Sequence, residues 1–181
     1  MKTTDIETWN INDIVGEAAD LFRRSHPDVL IHRKYQKGVW PVELKADLVT
    51  GIVLTLLNNA GQAMPDGGHL YAETVNLIVK ERRAGSFYPK PGRYVKVSIT
   101  DTGSARRIFF PFAAHCGKEG DGAGSSSLDV IYGIVRRYGG IITLNRKEDI
   151  GITFSVYLPA SDNAIGLAIT TLRNPLVKNG F

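Results

Sequence analysis

Apolar residues recur along the chain at two spacings, one typical of helices and one typical of strands. Apolar positions three and four apart predict three amphipathic helices, and alternating positions predict strands between them. The predicted helices cover residues 11–24, 45–64 and 128–138. The predicted strands cover residues 29–35, 69–79, 93–100, 141–145 and 152–158. Helices that alternate with strands and hairpins predict an α/β fold, a two-layer sandwich with a mixed sheet covered on one face by helices.

The bulk composition is that of a single globular domain. The chain has 181 residues, 43% of them hydrophobic, and we find no internal repeat. We therefore expect one domain over residues 1–159, followed by a tail, residues 160–181, for which the pattern predicts no structure. The single cysteine, Cys116, excludes an internal disulfide and fits a reducing compartment.

Neither a membrane nor a nucleic acid is an expected partner. No apolar run approaches the roughly 20 residues of a membrane span, and the N-terminal residues lack the apolar core of a secretory signal. The net charge is +4, but basic residues are interspersed with acidic ones instead of forming a stripe. We therefore expect a soluble cytoplasmic protein that does not bind nucleic acid.

The helix predicted over residues 45–64 carries the first candidate site. Asn58 and Asn59 are adjacent near its end, although asparagine is a poor helix former. Asn59 and Gln62 are three residues apart, so both can reach one site beside the helix. An amide oxygen is a ligand that suits Mg²⁺. A surface or capping role for the two asparagines is the alternative.

Two segments that contain glycine follow. Asp101 ends a predicted strand, and its carboxylate can accept a hydrogen bond from an exocyclic amine such as that of adenine. Gly103, two positions later, lets the backbone approach a flat ring. Further on, Gly120, Gly122 and Gly124 precede the third helix, where backbone N–H groups can bind phosphate. An ordinary turn and a flexible linker are the respective alternatives.

Taken in this order, the three segments resemble the catalytic ATP-binding domain of bacterial sensor histidine kinases. This family belongs to the gyrase, heat-shock, histidine-kinase and mismatch-repair ATPase superfamily. The resemblance covers residues 11–159 and is carried by LLNNAGQAMPDGGHLYAET, VSITDTG, RIFFPF and VIYGIVRRYGGIITLNRKEDIGITFSVYLPAS. It implies a Bergerat-type ATP-binding fold, with ATP and Mg²⁺ as ligands. It also implies a histidine-kinase dimerisation domain or a response regulator as a protein partner.

The resemblance also implies a role for each candidate residue. Asn59 corresponds to the Mg²⁺-binding asparagine of the N box, beside Gln62 in the nucleotide-binding set. Asp101 corresponds to the residue that reads adenine, and Gly103 to the glycine beside the base. Residues 108–112 correspond to the phenylalanine box that anchors the ATP lid. The glycine-rich end of the lid would contain Gly120, Gly122 and Gly124.

Several family positions are changed in this chain. Thr55 replaces an upstream asparagine of the N box, and Ala105 replaces the second glycine after Asp101. Serines at 125–127 stand near the final glycine box. Without a gap every glycine there is lost, whereas one inserted residue keeps Gly122 and Gly124. We therefore expect nucleotide binding to be weakened or lost.

The phosphoacceptor of the family has no counterpart in this sequence. None of the four histidines precedes an acidic residue; they are His26, His32, His69 and His115. We therefore expect an ATP-binding domain that is inactive alone and carries no phosphoacceptor histidine. Two alternatives are a kinase that acts in trans, as anti-sigma kinases do, and a pseudo-kinase that serves only as a protein-interaction module.

Overall fold

The computed structural model describes residues 9–42, 44–81, 89–103, 127–147 and 151–161. These residues form three helices and five strands at the places that the apolar pattern predicts, with ends shifted by a few residues. In chain order they are α1 (Ile11–Ser25), β1 (Val29–Tyr35), α2 (Ala46–Ala63), β2 (Gly68–Val79), β3 (Gly92–Asp101), α3 (Ser127–Arg137), β4 (Ile141–Lys147) and β5 (Gly151–Pro159).

The five strands form one mixed sheet in the order β1-β2-β3-β5-β4. β1 and β2 are parallel, and the crossover between them contains α2. The pairs β2–β3, β3–β5 and β4–β5 are antiparallel. Alternate residues on one side of the sheet, among them Ala72, Ile99 and Phe154, are buried with the apolar faces of the helices. The predicted two-layer sandwich with a mixed sheet covered on one face is therefore confirmed.

The longest helix, α2, lies in the middle of the helical layer. Its buried positions recur at helical spacing, and they are Val49, Ile52, Val53, Leu56, Leu57, Ala60 and Gly61. A Cβ at Gly61 would come within 2.7 Å of the His26 ring and 2.9 Å of the Phe22 ring. Glycine therefore allows the end of α1 to pack directly against the last turns of α2.

The folded part extends slightly past β5. Ala160 donates to the Arg93 carbonyl at 2.9 Å, and Ser161 donates to the Pro41 carbonyl at 2.8 Å. The rest of the predicted tail, residues 162–181, lies outside the described residues, so the boundary at 159 stays a prediction. Among the helices of the described ranges, none combines the length and the apolar character of a membrane span.

Candidate functional site

The last two turns of α2 present different side chains to different surroundings. Thr55, Asn59 and Ala63 follow one another at a spacing of four and are all partly buried, so they form one edge of the helix. Asn58 and Gln62 are also four apart and are exposed. Asn58 and Asn59 therefore differ in burial, because only Asn59 lies on the edge of the helix next to the core.

Asp101 is the last residue of β3 and is 1% exposed. Burial is the dominant effect on its carboxyl group and raises its pKa to about 6. Hydrogen bonds from the backbone N–H groups of Gly103 and of Asp101 itself act in the opposite direction. The Gly103 N–H donates to Oδ1 at 3.0 Å. A carboxylate offers about four acceptor positions, so this buried group can accept further donors.

The first two residues after β3, Thr102 and Gly103, lie against the end of α2. A Cβ at Gly103 would overlap the backbone carbonyl group of Ala63, whose carbon would be only 2.7 Å away. Ala63 is about one helical turn beyond Asn59, a rise of roughly 6 Å along the helix axis. The fold therefore brings the edge of α2 that carries Asn59 next to the loop that follows Asp101.

Neighbouring strands hold this loop from two other sides. Thr102 donates its N–H to the His69 carbonyl at 3.1 Å, and its hydroxyl oxygen accepts from the His69 N–H at 2.9 Å. At the start of β5, Gly151 has a φ of 121° and lies against the Asp101 carbonyl, where a Cβ would overlap the oxygen. The position of the Asp101 carboxyl group is therefore fixed by α2, β2 and β5 together.

Sequence reasoning missed the residues that build this frame. Ala63 and Gly151 contact the loop only through the fold, and Met64 lies 3.9 Å from the Thr102 hydroxyl. Of these residues, only Gly151 could have been recognised from the sequence, because it follows a charged turn and precedes a strand. That sequence signal is weak. The close contact with Ala63 explains why residue 103 is glycine. The sequence alone could not reveal that contact.

The predicted phosphate side lies outside the described residues. This applies to Gly120, Gly122 and Gly124 and to the phenylalanine box at 108–112. Within the described part of the chain, no group of three or more His, Cys, Asp or Glu side chains could hold a metal. The Mg²⁺ site suggested for Asn59 would contain no such group, because its ligands are one amide oxygen, water and phosphate.

The known proteins whose sequences resemble this chain are sensor histidine kinases. No family model matches the chain. The chain is 28% identical over 168 residues to the sensor kinase CckA of Brucella abortus, across 87% of this chain and 17% of CckA. The chain therefore spans a small part of the length of this relative. Homology to sensor histidine kinases, as the motifs predicted, is confirmed.

Solved structures agree on the fold. The mycobacterial sensor histidine kinase MprB superposes with a TM-score of 0.60 at 18% identity, over 84% of this chain and 97% of that one. The ATP binding domain of PrrB from Mycobacterium tuberculosis superposes with a TM-score of 0.55 at 17% identity, over 85% of this chain and 96% of that one. The fold is that of histidine-kinase ATP-binding domains, so the Bergerat-type prediction is confirmed.

Proposed function

We propose that this chain is the nucleotide-binding domain of a histidine-kinase system, with an intact adenine pocket and a weakened phosphate site. The observation that carries the proposal is the buried carboxyl group of Asp101, which is 1% exposed. Burying a charge is unfavourable unless donors satisfy it. The two backbone N–H groups leave acceptor capacity, and the exocyclic amine of adenine would supply the missing donor.

Asn59 is the proposed Mg²⁺ ligand. Its partly buried position, on the edge of α2 that reaches the loop at Gly103, supports this role. Mg²⁺ would take the amide oxygen of Asn59 together with water and phosphate oxygens. Gln62 is exposed, so it would contact the nucleotide from the solvent side. Phosphate would bind the segment that contains Gly120, Gly122 and Gly124.

Residues that differ from the family pattern support the proposal that the phosphate site is weakened. Thr55 lies one turn before Asn59 on the same edge, but its hydroxyl donates to the Gly51 carbonyl at 2.8 Å. The threonine side chain is shorter than that of asparagine, and its hydroxyl proton is used in this hydrogen bond within the helix. Ala105 and the serines at 125–127 add side chains where the resemblance implies glycine. Phosphoryl transfer depends mainly on positioning and charge neutralisation, so these changes should affect transfer more than adenine binding.

The transfer step would need a partner. Since no histidine here precedes an acidic residue, we infer that the phosphoacceptor lies on a separate dimerisation domain. Such a domain, or a response regulator, is the proposed protein partner. A module that binds only protein would instead show no response to nucleotide.

Thermal stability measured with adenosine, ADP and ATP, with and without Mg²⁺, tests the proposal. Ligand at 100 times its Kd should stabilise the domain by about 2.7 kcal/mol. Asp101→Asn should weaken binding of every adenine ligand by about 10- to 100-fold, because a hydrogen bond to a charged group contributes about 1.5–3 kcal/mol. Indifference to Asp101→Asn would refute the placement of the adenine pocket.

Asn59→Ala separates the metal role from the base role. It should remove only the increment that Mg²⁺ adds to ATP binding and should leave adenosine binding unchanged. Asn58→Ala is the matched control, because Asn58 is the preceding residue on the same helix and is exposed. Equal effects of the two substitutions would contradict the role of Asn59. No stabilisation at millimolar ATP would favour the protein-interaction module.

Labelled ATP with a supplied histidine-kinase dimerisation domain then tests transfer. We expect transfer to be slow compared with nucleotide binding. Rapid phosphorylation of that domain would contradict the weakened phosphate site, although it would leave the adenine pocket in place.

A further inference from the structure

Two histidines on the outer face of the sheet make a contact that nucleotide binding does not use. His32 lies in β1 and His69 in β2, on adjacent parallel strands, and both are exposed. The register pairs Leu30 with His69 and His32 with Tyr71, so the two histidines are diagonal neighbours. Their side chains lie on the face opposite the helices, since Leu70, the residue after His69 in β2, is buried in the core.

The two imidazole rings meet through their nitrogens. Nε2 of His32 is 2.9 Å from Nδ1 of His69, with ring centroids 5.2 Å apart and ring planes 24° apart. One nitrogen donates a hydrogen and the other accepts it. Tyr71 stacks on His32 with centroids 4.7 Å apart and ring planes 16° apart, which restricts the rotation of that imidazole. Pairing of β1 with β2 therefore holds two imidazole nitrogens within hydrogen-bonding distance of each other.

This spacing suits a bound metal ion. Two imidazole nitrogens bonded to one metal at about 2.0–2.1 Å lie roughly 2.9–3.4 Å apart when the bond angle is between a right angle and tetrahedral. Neutral imidazole is a ligand for Zn²⁺, Cu²⁺ and Ni²⁺, whereas Mg²⁺ prefers oxygen. We propose that His32 and His69 form a binding site for a divalent transition metal on the outer face of the sheet.

Binding requires small changes in the pair. The hydrogen between the rings moves to the other nitrogen of the ring that carried it, so a neutral pair binds the metal without net loss of a proton. A modest rotation of the exposed rings then directs both lone pairs to one point. Among the described residues no larger group of ligating side chains exists, so water fills the remaining positions. The site is therefore open, unlike a closed structural zinc site with four protein ligands.

Calorimetric titration of the full chain with Zn²⁺, without nucleotide or chelator, tests the site. We expect one equivalent of Zn²⁺ to bind. His32→Gln and His69→Gln should each lower the affinity at least about tenfold, since loss of an outer-shell partner alone costs about 10- to 100-fold. Both positions are exposed, so both variants should fold, and an unchanged melting temperature without metal checks this.

His115→Gln is the control, because it removes one of the four imidazoles from a different part of the sequence. It should leave the Zn²⁺ affinity unchanged. Electron paramagnetic resonance of the Cu²⁺ complex should show two nitrogen ligands, and His69→Gln should reduce them to one. Unchanged Zn²⁺ affinity in both His32→Gln and His69→Gln, or loss of the site in His115→Gln, would overturn the proposal.

The metal site and the nucleotide site can be tested separately. The Zn²⁺ titration contains no nucleotide, and adenosine binding requires no metal. Asp101→Asn should leave the Zn²⁺ affinity unchanged, and His32→Gln should leave adenosine binding unchanged. Failure of either proposal is therefore recognisable without reference to the other.

Discussion

The paired hydroxyls on the outer face of the sheet and the carboxyl group of Asp101 on the inner face are satisfied in different ways. On the outer face, the hydroxyls of Ser98 and Ser155 lie 3.1 Å apart, and those of Thr100 and Thr153 lie 2.9 Å apart. Each pair joins β3 to β5, and both members can donate and accept. On the inner face, Asp101 is buried with backbone N–H donors, and its pKa is raised to about 6.

This difference distinguishes structural polar groups from a candidate site. Ser98 is 4% exposed and Asp101 is 1% exposed, so burial alone does not separate them. Ser98 has a matched hydroxyl partner, whereas the Asp101 carboxylate has backbone N–H donors that only partly offset its desolvation, so its pKa is raised. A buried carboxylate whose pKa is raised by desolvation gains more from a further hydrogen-bond donor than a hydroxyl that already has a matched partner.

The largest expected effect comes from Gly103→Ala on the inner side. The added Cβ would overlap the Ala63 carbonyl, so the loop or the end of α2 must move. We expect a loss of at least about 3 kcal/mol in the free energy of unfolding, at the upper end for overpacking. Urea denaturation measures it.

Gly51→Ala is the matched control for Gly103→Ala. Gly51 lies in α2, and a Cβ there would meet no atom within 4 Å apart from its own helix and chain neighbours. Alanine should stabilise the helix by about 0.5–1 kcal/mol. If both substitutions changed stability by the same amount, the close approach of Gly103 to Ala63 would be wrong.

Asp101→Asn should stabilise the ligand-free protein at pH 8 by about 2–3 kcal/mol, taken from a shift of about two pKa units at 1.4 kcal/mol each. The native pKa of Asp101 lies above its ordinary value, so the native state binds the proton more tightly than the unfolded state. Ionisation therefore costs stability as pH rises from about 4 to about 6, and asparagine avoids this cost.

Urea denaturation of both proteins between pH 4 and pH 8 measures the difference. The advantage of asparagine should be full above pH 6 and should disappear near pH 4. A gain that is independent of pH, or a loss at pH 8, would contradict the account of the Asp101 carboxyl group. The same variant should bind adenine ligands more weakly, so stability and binding should change in opposite directions.

The smallest effect is expected on the outer face. Ser98→Ala removes one hydroxyl of a pair and leaves the Ser155 hydroxyl buried without its partner, which should cost about 1 kcal/mol. Replacing both serines with alanine should cost less than the sum of the single changes. A double-mutant cycle measures this coupling, and strict additivity would show that the two hydroxyls do not depend on each other.

The periodicity of apolar residues was enough to predict the helices, the strands and the two-layer sandwich with a mixed sheet. The spacing along α2 also placed Asn59 next to its core-facing side, because helical geometry is local. The contact between Gly103 and Ala63 joins residues 40 positions apart, and no spacing in the sequence encodes it. The pairing of His32 with His69 likewise depends on the register of two parallel strands separated by a crossover. The position of Asn59 on its helix was predictable because helical geometry is local, whereas the contacts of Gly103 and the pairing of His32 with His69 were missed because they depend on tertiary packing.

The last turns of α2 are held on both flanks within three residues. Gly61 accommodates the rings of Phe22 in α1 and of His26 just after it, and Ala63 contacts Gly103 after β3. Neither contact leaves a gap, so a tilt of α1 would move the end of α2. That movement would in turn displace Gly103. We therefore expect the amide protons of this segment to exchange together and slowly, so that the motion of α1 and the geometry of the proposed adenine pocket are coupled.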